Sequence, residues 1–231
     1  MHLTLHHIPG ACSRVTLTAL EMCRAPYEVR VVPFHRGGLS APAFRSISPH
    51  GQVPALAIGE KVLTENAAIL WTLEQMYPGQ GLFPPMDDPI SRGHALSRLV
   101  FCSSQLHPTV SRIAFPQRTC DYSTEASARV RAQAISTLLD RLSVVQDVLG
   151  LQPWWLGEHF SIVDVYLGWV TNRLTLHGVA LDSLPAVQAH RERVAAHETV
   201  LGVLQREQAL VAQLEADGSG IPEPLRRQLV A

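Results

Sequence analysis

A break of twelve residues divides this sequence into halves of different pattern, and this division constrains the fold most. Residues 78–89, PGQGLFPPMDDP, contain four prolines and two glycines, which is typical of a linker because both residues interrupt helices and strands. Before the break, strand-like and helix-like segments alternate, and after it only helical spacing is found. We expect an α/β unit at residues 1–78, a linker at 79–89, an all-helical unit at 90–215 and a C-terminal tail at 216–231.

The first half predicts the order strand, helix, strand, short helix, strand, strand, helix. Residues 3–7 alternate weakly and stop at Pro9-Gly10, while residues 13–24 have apolar positions at helical spacing. After the linker, helical segments are predicted near residues 90–115, 124–149, 161–177, 184–196 and 197–214. The clearest helix start is Ser161, which we expect to cap the helix with Asp164 reaching back to its amide and Phe160 packing on Val165.

Composition and charge exclude several classes of protein. The 231 residues carry a formal net charge of -1, with 46% hydrophobic and 17% charged residues, which describes a folded globular chain and gives no case for nucleic acid or an anionic membrane surface. No apolar run approaches the roughly 20 residues of a membrane span, and the start lacks the pattern of a signal peptide. We therefore expect a cytoplasmic protein.

Cysteine and histidine spacing gives no metal site. The four cysteines lack dense spacing and a CxxC pair, which favours free thiols in a reducing compartment. The eleven histidines form no grouping with cysteine at zinc-site spacing. His6 and His7 are adjacent on a predicted strand and therefore face opposite sides of the sheet.

Cys12 has a more distinctive position than the other cysteines, between a Pro-Gly turn and a predicted helix start at Ser13. Unpaired amides and the helix dipole at that place stabilise an anion, so a thiolate is favoured. The alternative is a buried cysteine that acts as a small apolar residue. Cys23, Cys102 and Cys120 lack this setting and are interpreted as core or surface thiols.

Four motifs give a family resemblance over roughly residues 1–205. PGACS, GQVPAL, LTENAAIL and FSIVD occur in the same order and at similar spacing as in the soluble glutathione transferases, and resemble their bacterial beta class most. The resemblance implies an α/β thioredoxin-like N-terminal domain, an all-α C-terminal helical domain and a homodimer. It also implies a cytoplasmic detoxification enzyme with glutathione as cosubstrate and no metal.

By the same resemblance, Cys12 contacts the glutathione sulfur and Ser13 is an alternative hydroxyl donor. Val53-Pro54 matches the family's cis-proline position, so the Val53 backbone is expected to pair with the cysteinyl part of the tripeptide. A trans proline at a strand start is the other interpretation of that pair. Gln52 fits a further polar contact to the ligand.

Glu65 and Asn66 open a predicted helix whose first amides suit the γ-glutamyl carboxylate of glutathione. The Glu65 side chain would then pair with the ligand's ammonium group. Acidic residues in a first turn also serve only to complement the helix dipole. The family often has serine or glycine where Asn66 stands, and asparagine retains the ability to hydrogen-bond.

His107 matches a family histidine that faces the active-site cleft, and we include it with Cys12 and Ser13 as a candidate catalytic residue. The equally weighted alternative is a polar residue beside a kink, since Pro108 would interrupt the helix there. Gln105 keeps polar character where the family often has an acidic residue. Pro108 replaces a family lysine and Val100 a polar residue, which puts glutathione affinity in question more than fold.

The expected function is conjugation of glutathione to small apolar electrophiles, with the thiolate kept stable by hydrogen bonds and a helix start. Two alternatives stay open: thiol-disulfide exchange through Cys12, and a non-catalytic interaction protein with the same fold. The sequence does not identify the electrophile. Candidate aromatic residues for its wall are Phe101, Phe115 and Tyr166.

Overall fold

The structure is a computed structural model and describes residues 2–120 and 123–216. The chain forms two compact units. The first comprises the chain up to Leu82 together with the last described helix, and the second runs from Phe83 to Ala196. The predicted tail from residue 217 onward lies outside the described residues.

A four-stranded mixed sheet forms the centre of the first unit. Its strands are β1 (Leu3–His7), β2 (Tyr27–Val31), β3 (Ala55–Ile58) and β4 (Lys61–Thr64), in the order β2-β1-β3-β4. β1 is parallel to β2 and antiparallel to β3, and β3 is antiparallel to β4. A parallel pair needs a crossover, which the first helix provides. The predicted α/β thioredoxin-like arrangement is confirmed.

The helices of the first unit are α1 (Ser13–Met22), the short α2 (Pro42–Arg45), α3 (Asn66–Met76) and the last described helix, which is named α9 (Glu198–Ala216). In this unit, α1 and α3 pack on the sheet and on each other, and α9 packs on α1. The central strand β1 is buried along its whole length. As expected for adjacent strand residues, His6 lies against the Phe44 ring while His7 contacts Ser13 and Glu207.

The second unit is helical throughout its regular elements. Its helices are α4 (Pro89–Phe101), α5 (His107–Ala114), α6 (Thr124–Leu149), α7 (Ile162–Leu176) and α8 (Pro185–Ala196). The boundary between the units falls within the predicted linker, after which Asp88 caps α4 by accepting hydrogen bonds from the Ile90 and Ser91 amides. The all-helical unit is therefore confirmed. No helix in residues 2–120 or 123–216 is long and apolar enough to cross a membrane.

The predicted start of α7 is observed. Asp164 accepts a hydrogen bond from the Ser161 amide at 2.9 Å, and the Ser161 hydroxyl accepts one from the Asp164 amide, which together form the capping box. The Ser161 hydroxyl also donates to the Asp164 carboxylate at 2.7 Å. The Phe160 ring meets the Trp154 ring with centroids 5.0 Å apart. Asp164 also binds His190 at 2.9 Å, so this box connects α7 to α8.

The helix interruption at Pro108 takes the form of a π-turn. Residues Cys102–Leu106 are π-helical, between α4 and α5. Pro108 has no amide hydrogen to donate to the carbonyl four residues earlier, and its ring crowds that carbonyl. A wider turn accommodates both effects without ending the helix, so the chain continues with His107 at the first position of α5.

The assignment of α9 differs from the predicted helical unit at 90–215. Its helical pattern was predicted, but α9 belongs to the first unit. The physical reason is charge pairing with α1: Arg206 binds Glu21 at 2.8 Å, and Glu207 binds Arg14 at 2.7 Å. Helical periodicity identifies an amphipathic face but does not show which neighbour covers it.

Candidate functional site

Cys12 lies at the amino end of α1, after the turn that follows β1. It occupies the N-cap position, and its Sγ donates a hydrogen bond to the Val53 carbonyl oxygen at 3.2 Å. The thiol is partly exposed. Because the first amides of a helix have no partner within the helix, this position favours a sulfur anion, whether from the protein or from a ligand.

Asn66 connects the starts of α1 and α3. Its Nδ2 donates to the Cys12 carbonyl at 3.1 Å, and its Oδ1 accepts from the Thr16 hydroxyl at 2.8 Å. Asn66 is 4% exposed, so both bonds are shielded from water. The side chain therefore holds the two helix starts together.

Glu65 precedes α3 in an unusual backbone conformation. It has φ 67° and ψ 119°, a region that costs a residue with a side chain about 1–3 kcal/mol. Its carbonyl still accepts the first helical bond, from the Ile69 amide at 3.0 Å, and its side chain is exposed. Such strain persists only where neighbouring contacts impose it, and buried Asn66 provides such contacts. We name Cys12, Val53, Glu65 and Asn66 the thiol site.

The segment before β3 presents the Val53 backbone. The Val53-Pro54 bond is cis, as the family resemblance implied. The Ser48 hydroxyl donates to the Gln52 carbonyl at 2.9 Å and accepts from the Gln52 amide at 3.2 Å, which fixes the backbone beside it. The Gln52 side chain is exposed. In the described part of the chain, the Val53 amide has no hydrogen-bond acceptor.

Gly51 is required by close packing in the same segment. It has φ 62°, and a Cβ at this position would lie 2.5 Å from the Leu39 carbonyl oxygen. Any side chain would therefore push the segment away from its support. This explains the glycine of the GQVPAL motif in steric terms.

A buried carboxylate from α9 supports the turn that carries Cys12. Glu207 accepts from the Gly10 amide at 3.1 Å through Oε1, which also lies 3.1 Å from His7 Nε2. Its Oε2 accepts from Nε and Nη2 of Arg14, both at 2.7 Å. We name His7, Arg14 and Glu207 the acid cluster.

The acid cluster is almost completely shielded from water. The exposed fractions of the Glu207, His7 and Arg14 side chains are 1%, 0% and 9%. Burial raises the pKa of Glu207, but the His7 hydrogen bond and the Arg14 charge outweigh it and hold this pKa below its ordinary value. A carboxylate is therefore kept charged behind the turn between β1 and α1.

Comparison with known proteins identifies the family. Models for the N-terminal and C-terminal domains of glutathione S-transferases match residues 10–76 and 102–198. The glutathione transferase structure from Methylococcus capsulatus is 31% identical, with a TM-score of 0.76, and 90% of this chain and 99% of that one are covered. This chain belongs to the glutathione transferase family. Glutathione S-transferase GstA of Escherichia coli O157:H7 is 28% identical over 207 residues, which are 89% of this chain and 98% of that protein.

Three further proteins are similar to this chain and have different names. A homologue from Sulfitobacter, solved with bound glutathione, is 28% identical with a TM-score of 0.79, covering 89% of this chain and 98% of that chain. Maleylpyruvate isomerase of a Ralstonia species is 35% identical over 153 residues, 64% of this chain and 71% of that protein. A stringent starvation protein A homologue of Pasteurella multocida is 23% identical over 150 residues, 64% and 65% of the two chains.

In the helical unit of this transferase, His107 lies among aromatic side chains. Its Nδ1 is 3.0 Å from the Tyr166 hydroxyl, and its ring meets the Trp169 ring edge-on with centroids 4.7 Å apart. Burial, and then the charge of Arg173, lower the pKa of His107 to about 4. The imidazole is therefore neutral at pH 7, able to donate from one ring nitrogen and accept at the other.

The π-turn before His107 is stabilised from α6. The carbonyl of Gln105 accepts from Arg141 Nη1 and from the Thr109 hydroxyl, both at 2.7 Å. Gln105 lies in the π-turn, so these bonds tie its carbonyl to a side chain of α6 and to one of α5. The Gln105 side chain itself is exposed, and only its backbone carbonyl takes part in these hydrogen bonds.

The predicted site residues fall into two groups. The thiol site brings Cys12, Val53, Glu65 and Asn66 together in the first unit. His107 and Gln105 lie in the second unit. The wall candidates also differ in setting: Tyr166 is buried beside His107, while Phe115 lies under the Arg118 guanidinium at 4.2 Å.

The Ser13 hydroxyl does not fit its predicted role as a donor to a ligand. Ser13 is 0% exposed, and its Oγ lies 2.8 Å from His7 Nδ1 while it accepts from the Ile8 amide at 3.2 Å. Ser13 is the first residue of α1, and its side chain points back toward the end of β1, where His7 of the acid cluster lies. Ser13 therefore anchors the turn internally.

The sequence analysis missed Glu207 and Arg14. Arg14 and Glu207 are separated by 193 positions, so no local pattern connects them. The one signal available was an acidic residue among apolar helix positions near the chain end. That signal indicates a buried charge but not its partner.

Proposed function

We propose that this glutathione transferase binds glutathione at the thiol site and conjugates it to a small electrophile. The observation that carries the proposal is the pair of Asn66 hydrogen bonds, which holds the strained Glu65 and the Cys12 helix start side by side. This arrangement presents two helix amino ends and an unpaired backbone amide to one ligand. A tripeptide with two carboxylates and a thiol suits such a set of donors.

Each part of glutathione is assigned a partner by chemistry. The amide and carbonyl of Val53 suit strand-like pairing with the cysteinyl residue. The amides at the start of α3 suit the γ-glutamyl carboxylate, and Glu65 suits the ammonium group. Gln52, which is exposed, is proposed to contact the same ligand, with Asn66 acting as a positioning residue.

The proposed role of Cys12 is to stabilise the glutathione sulfur beside the start of α1. A thiolate at that position gains from the partial positive charge of the helix end, so more of the glutathione is ionised at pH 7. The thiolate then attacks the electrophilic carbon, a carbon–sulfur bond forms, and the leaving group departs with its electron pair. We propose that the helical unit binds the electrophile.

Turnover with two substrates separates conjugation from disulfide exchange. Conjugation is measured with 1-chloro-2,4-dinitrobenzene and exchange with 2-hydroxyethyl disulfide, each in the presence of glutathione. If conjugation is the main activity, Cys12→Ser retains most of the first rate. If Cys12 works by exchange, the same variant loses the second rate completely. Absence of both activities in the wild type would refute conjugation and exchange, and would leave an isomerase or an interaction protein.

A second candidate is isomerisation of a maleyl keto acid. It is favoured by the 35% identity to maleylpyruvate isomerase. The test is the glutathione-dependent loss of maleylpyruvate absorbance, with Cys12→Ser as comparison. A rate equal to that of glutathione alone would remove this candidate.

We also propose a cytoplasmic homodimer of beta-class type. Val62 and Val100 are large apolar residues with exposed fractions of 38% and 42%, as expected for residues that a second subunit covers. Light scattering should then give twice the chain mass of 25.4 kDa. A mass of a single chain at micromolar concentration would contradict the dimer.

A further inference from the structure

Thr16, in the first turn of α1, is connected to the first residue of α3. Its hydroxyl bonds Asn66 Oδ1 at 2.8 Å, and Asn66 Nδ2 bonds the Cys12 carbonyl at 3.1 Å. The exposed fractions of Thr16 and Asn66 are 0% and 4%, so both hydrogen bonds are formed away from water. We name these two hydrogen bonds the Asn66 bridge.

The chemistry of the groups determines both hydrogen-bond directions in the Asn66 bridge. A backbone carbonyl only accepts, so the side-chain atom that faces the Cys12 carbonyl is the Asn66 nitrogen, which donates. The Asn66 oxygen then faces Thr16. Because an amide oxygen also only accepts, the Thr16 hydroxyl is the donor. Thr16 therefore keeps the Asn66 amide in the orientation in which it holds Cys12.

The carbonyl held by this bridge belongs to the peptide that opens α1. It accepts from the Val15 amide at 3.1 Å as well as from Asn66. Because a peptide bond is planar, holding this carbonyl fixes the plane of the Cys12–Ser13 peptide and the position of the Cys12 Cα. The Cys12 thiol, which donates to the Val53 carbonyl, is thereby kept at a set separation from the start of α3.

Without its hydroxyl, residue 16 no longer supplies the donor that the structure gives Asn66 Oδ1. A buried acceptor that loses its donor costs more free energy than an ordinary hydrogen bond contributes. Rotation of the Asn66 amide toward another donor then becomes favourable. Such a rotation moves the Asn66 nitrogen away from the Cys12 carbonyl, so the effect of Thr16 reaches the thiol site through Asn66.

We propose that Thr16 is a positioning residue of the thiol site, acting through Asn66 to keep Cys12 at the separation from α3 that glutathione requires. This inference rests on the proposed function, in which the glutathione sulfur lies beside Cys12 and the γ-glutamyl group at the start of α3. Thr16 is fully buried and touches neither the ligand nor the reacting atoms.

Two substitutions of similar size test the role of the Thr16 hydroxyl. Thr16→Val keeps the shape of the side chain and removes the donor, whereas Thr16→Ser keeps the donor. With 1-chloro-2,4-dinitrobenzene as the electrophile, we expect kcat/KM for glutathione to fall about three- to tenfold in Thr16→Val. In Thr16→Ser it should stay within about twofold of the wild-type value.

Thr18→Val is the matched control. Thr18 is a buried threonine of the same helix, and its hydroxyl donates to the Arg14 carbonyl at 2.9 Å. This variant also loses a buried hydrogen bond but leaves the Asn66 bridge intact, so its kcat/KM should stay within about twofold of the wild type. A loss in Thr18→Val as large as that in Thr16→Val would overturn the inference.

A double-mutant cycle shows whether Thr16 acts through Asn66. Asn66→Ala removes the bridge, so adding Thr16→Val to it should not lower kcat/KM further. General damage to the fold would instead lower kcat/KM by the same factor in both backgrounds. That result would contradict the positioning role.

A readout without turnover separates this inference from the proposed function. The side-chain amide protons of Asn66, followed by ¹H–¹⁵N NMR in the full-length protein without ligand, should exchange slowly with solvent in the wild type and in Thr16→Ser. In Thr16→Val their exchange should be faster by about tenfold or more. Unchanged exchange in Thr16→Val would overturn the inference whatever the activity. If exchange depends on Thr16 in this way but the wild type neither binds nor conjugates glutathione, the proposed function alone is refuted, since Thr16 still positions Asn66.

Discussion

Cys12 differs from the other cysteines of the chain in exposure and in electrostatic surroundings. Burial, followed by the Glu74 charge, raises the pKa of Cys23 to about 12. Burial and the Asp164 charge also raise the pKa of Cys102. Cys120 is partly exposed, and its Sγ donates to the Pro116 carbonyl at 3.4 Å. Only Cys12 combines exposure with a helix amino end.

Alkylation kinetics are therefore expected to separate the four thiols. At pH 7.5, iodoacetamide should label Cys12 first and Cys120 more slowly, while Cys23 and Cys102 react only after unfolding. Mass spectrometry of timed samples measures each site. Glutathione should protect Cys12 and leave Cys120 unchanged. Equal rates at Cys12 and Cys120, or no protection by glutathione, would show that the thiol site has no special reactivity.

At the scale of elements, α9 is connected to α1 by two pairs of opposite charge. Arg206 binds Glu21 near the carboxyl end of α1, and Glu207 binds Arg14 near its amino end. The inner pair is buried and the outer pair is partly exposed, so most of the stabilisation comes from Glu207. α9 therefore supports the helix whose start carries Cys12.

Glu207→Gln should reduce the free energy of unfolding by about 3–5 kcal/mol, because Arg14 and His7 would lose their buried anion. The folded-state pKa of Glu207 lies below its unfolded value, so this stabilisation is present above the unfolded pKa and is lost as the pH falls through the folded one. Urea unfolding should show the largest difference between variant and wild type at pH 7, and a smaller one below about pH 4.

Glu198→Gln is the matched control, because Glu198 is an exposed glutamate of the same helix. The free energy of unfolding should fall by less than about 1 kcal/mol in Glu198→Gln. An equal effect of the two substitutions, or a difference independent of pH, would contradict the role given to the acid cluster.

Gly168 of α7 packs directly against Val194 of α8. A Cβ there would lie 2.6 Å from Val194 Cγ1, so Gly168→Ala should destabilise the protein by about 1–3 kcal/mol through overpacking. The double variant Gly168→Ala with Val194→Ala should lose less unfolding free energy than the two single variants together, because Val194→Ala removes the clash. Gly202→Ala is the control: nothing lies within 4 Å of its Cβ position, and alanine favours the helix by about 0.5–1 kcal/mol. Additive effects of the first two substitutions, measured by urea unfolding, would refute the clash.

Local patterns predicted the elements of this fold well, since strands, helix periods and the Ser161 cap depend on neighbouring residues. The roles of Ser13 and Asn66 were harder to predict from the sequence. Both were expected to face a ligand, whereas Ser13 contacts His7 and Asn66 holds the Cys12 carbonyl. The π-turn before Pro108 was expected only as a kink. One of its carbonyls, that of Gln105, accepts from Arg141, which lies 36 positions later and is not part of any local pattern.

At the scale of the whole molecule, the two units have different chemical character. The first presents helix amino ends, a strained glutamate and a thiol, which suit an anionic tripeptide. The second contains a histidine among aromatic rings, and we propose that this unit binds the electrophile. This proposed division of tasks lets each half be tested with its own ligand.

Calorimetric titration with glutathione tests the central claim most directly. The account predicts binding by the wild type, and an affinity about tenfold weaker for Glu65→Gln because the ammonium loses its charged partner. Glu60→Gln, which changes an exposed glutamate in the turn between β3 and β4, should bind like the wild type. No heat of binding at millimolar glutathione, or equal Kd values for the wild type and Glu65→Gln, would contradict a glutathione site at Cys12, Val53, Glu65 and Asn66.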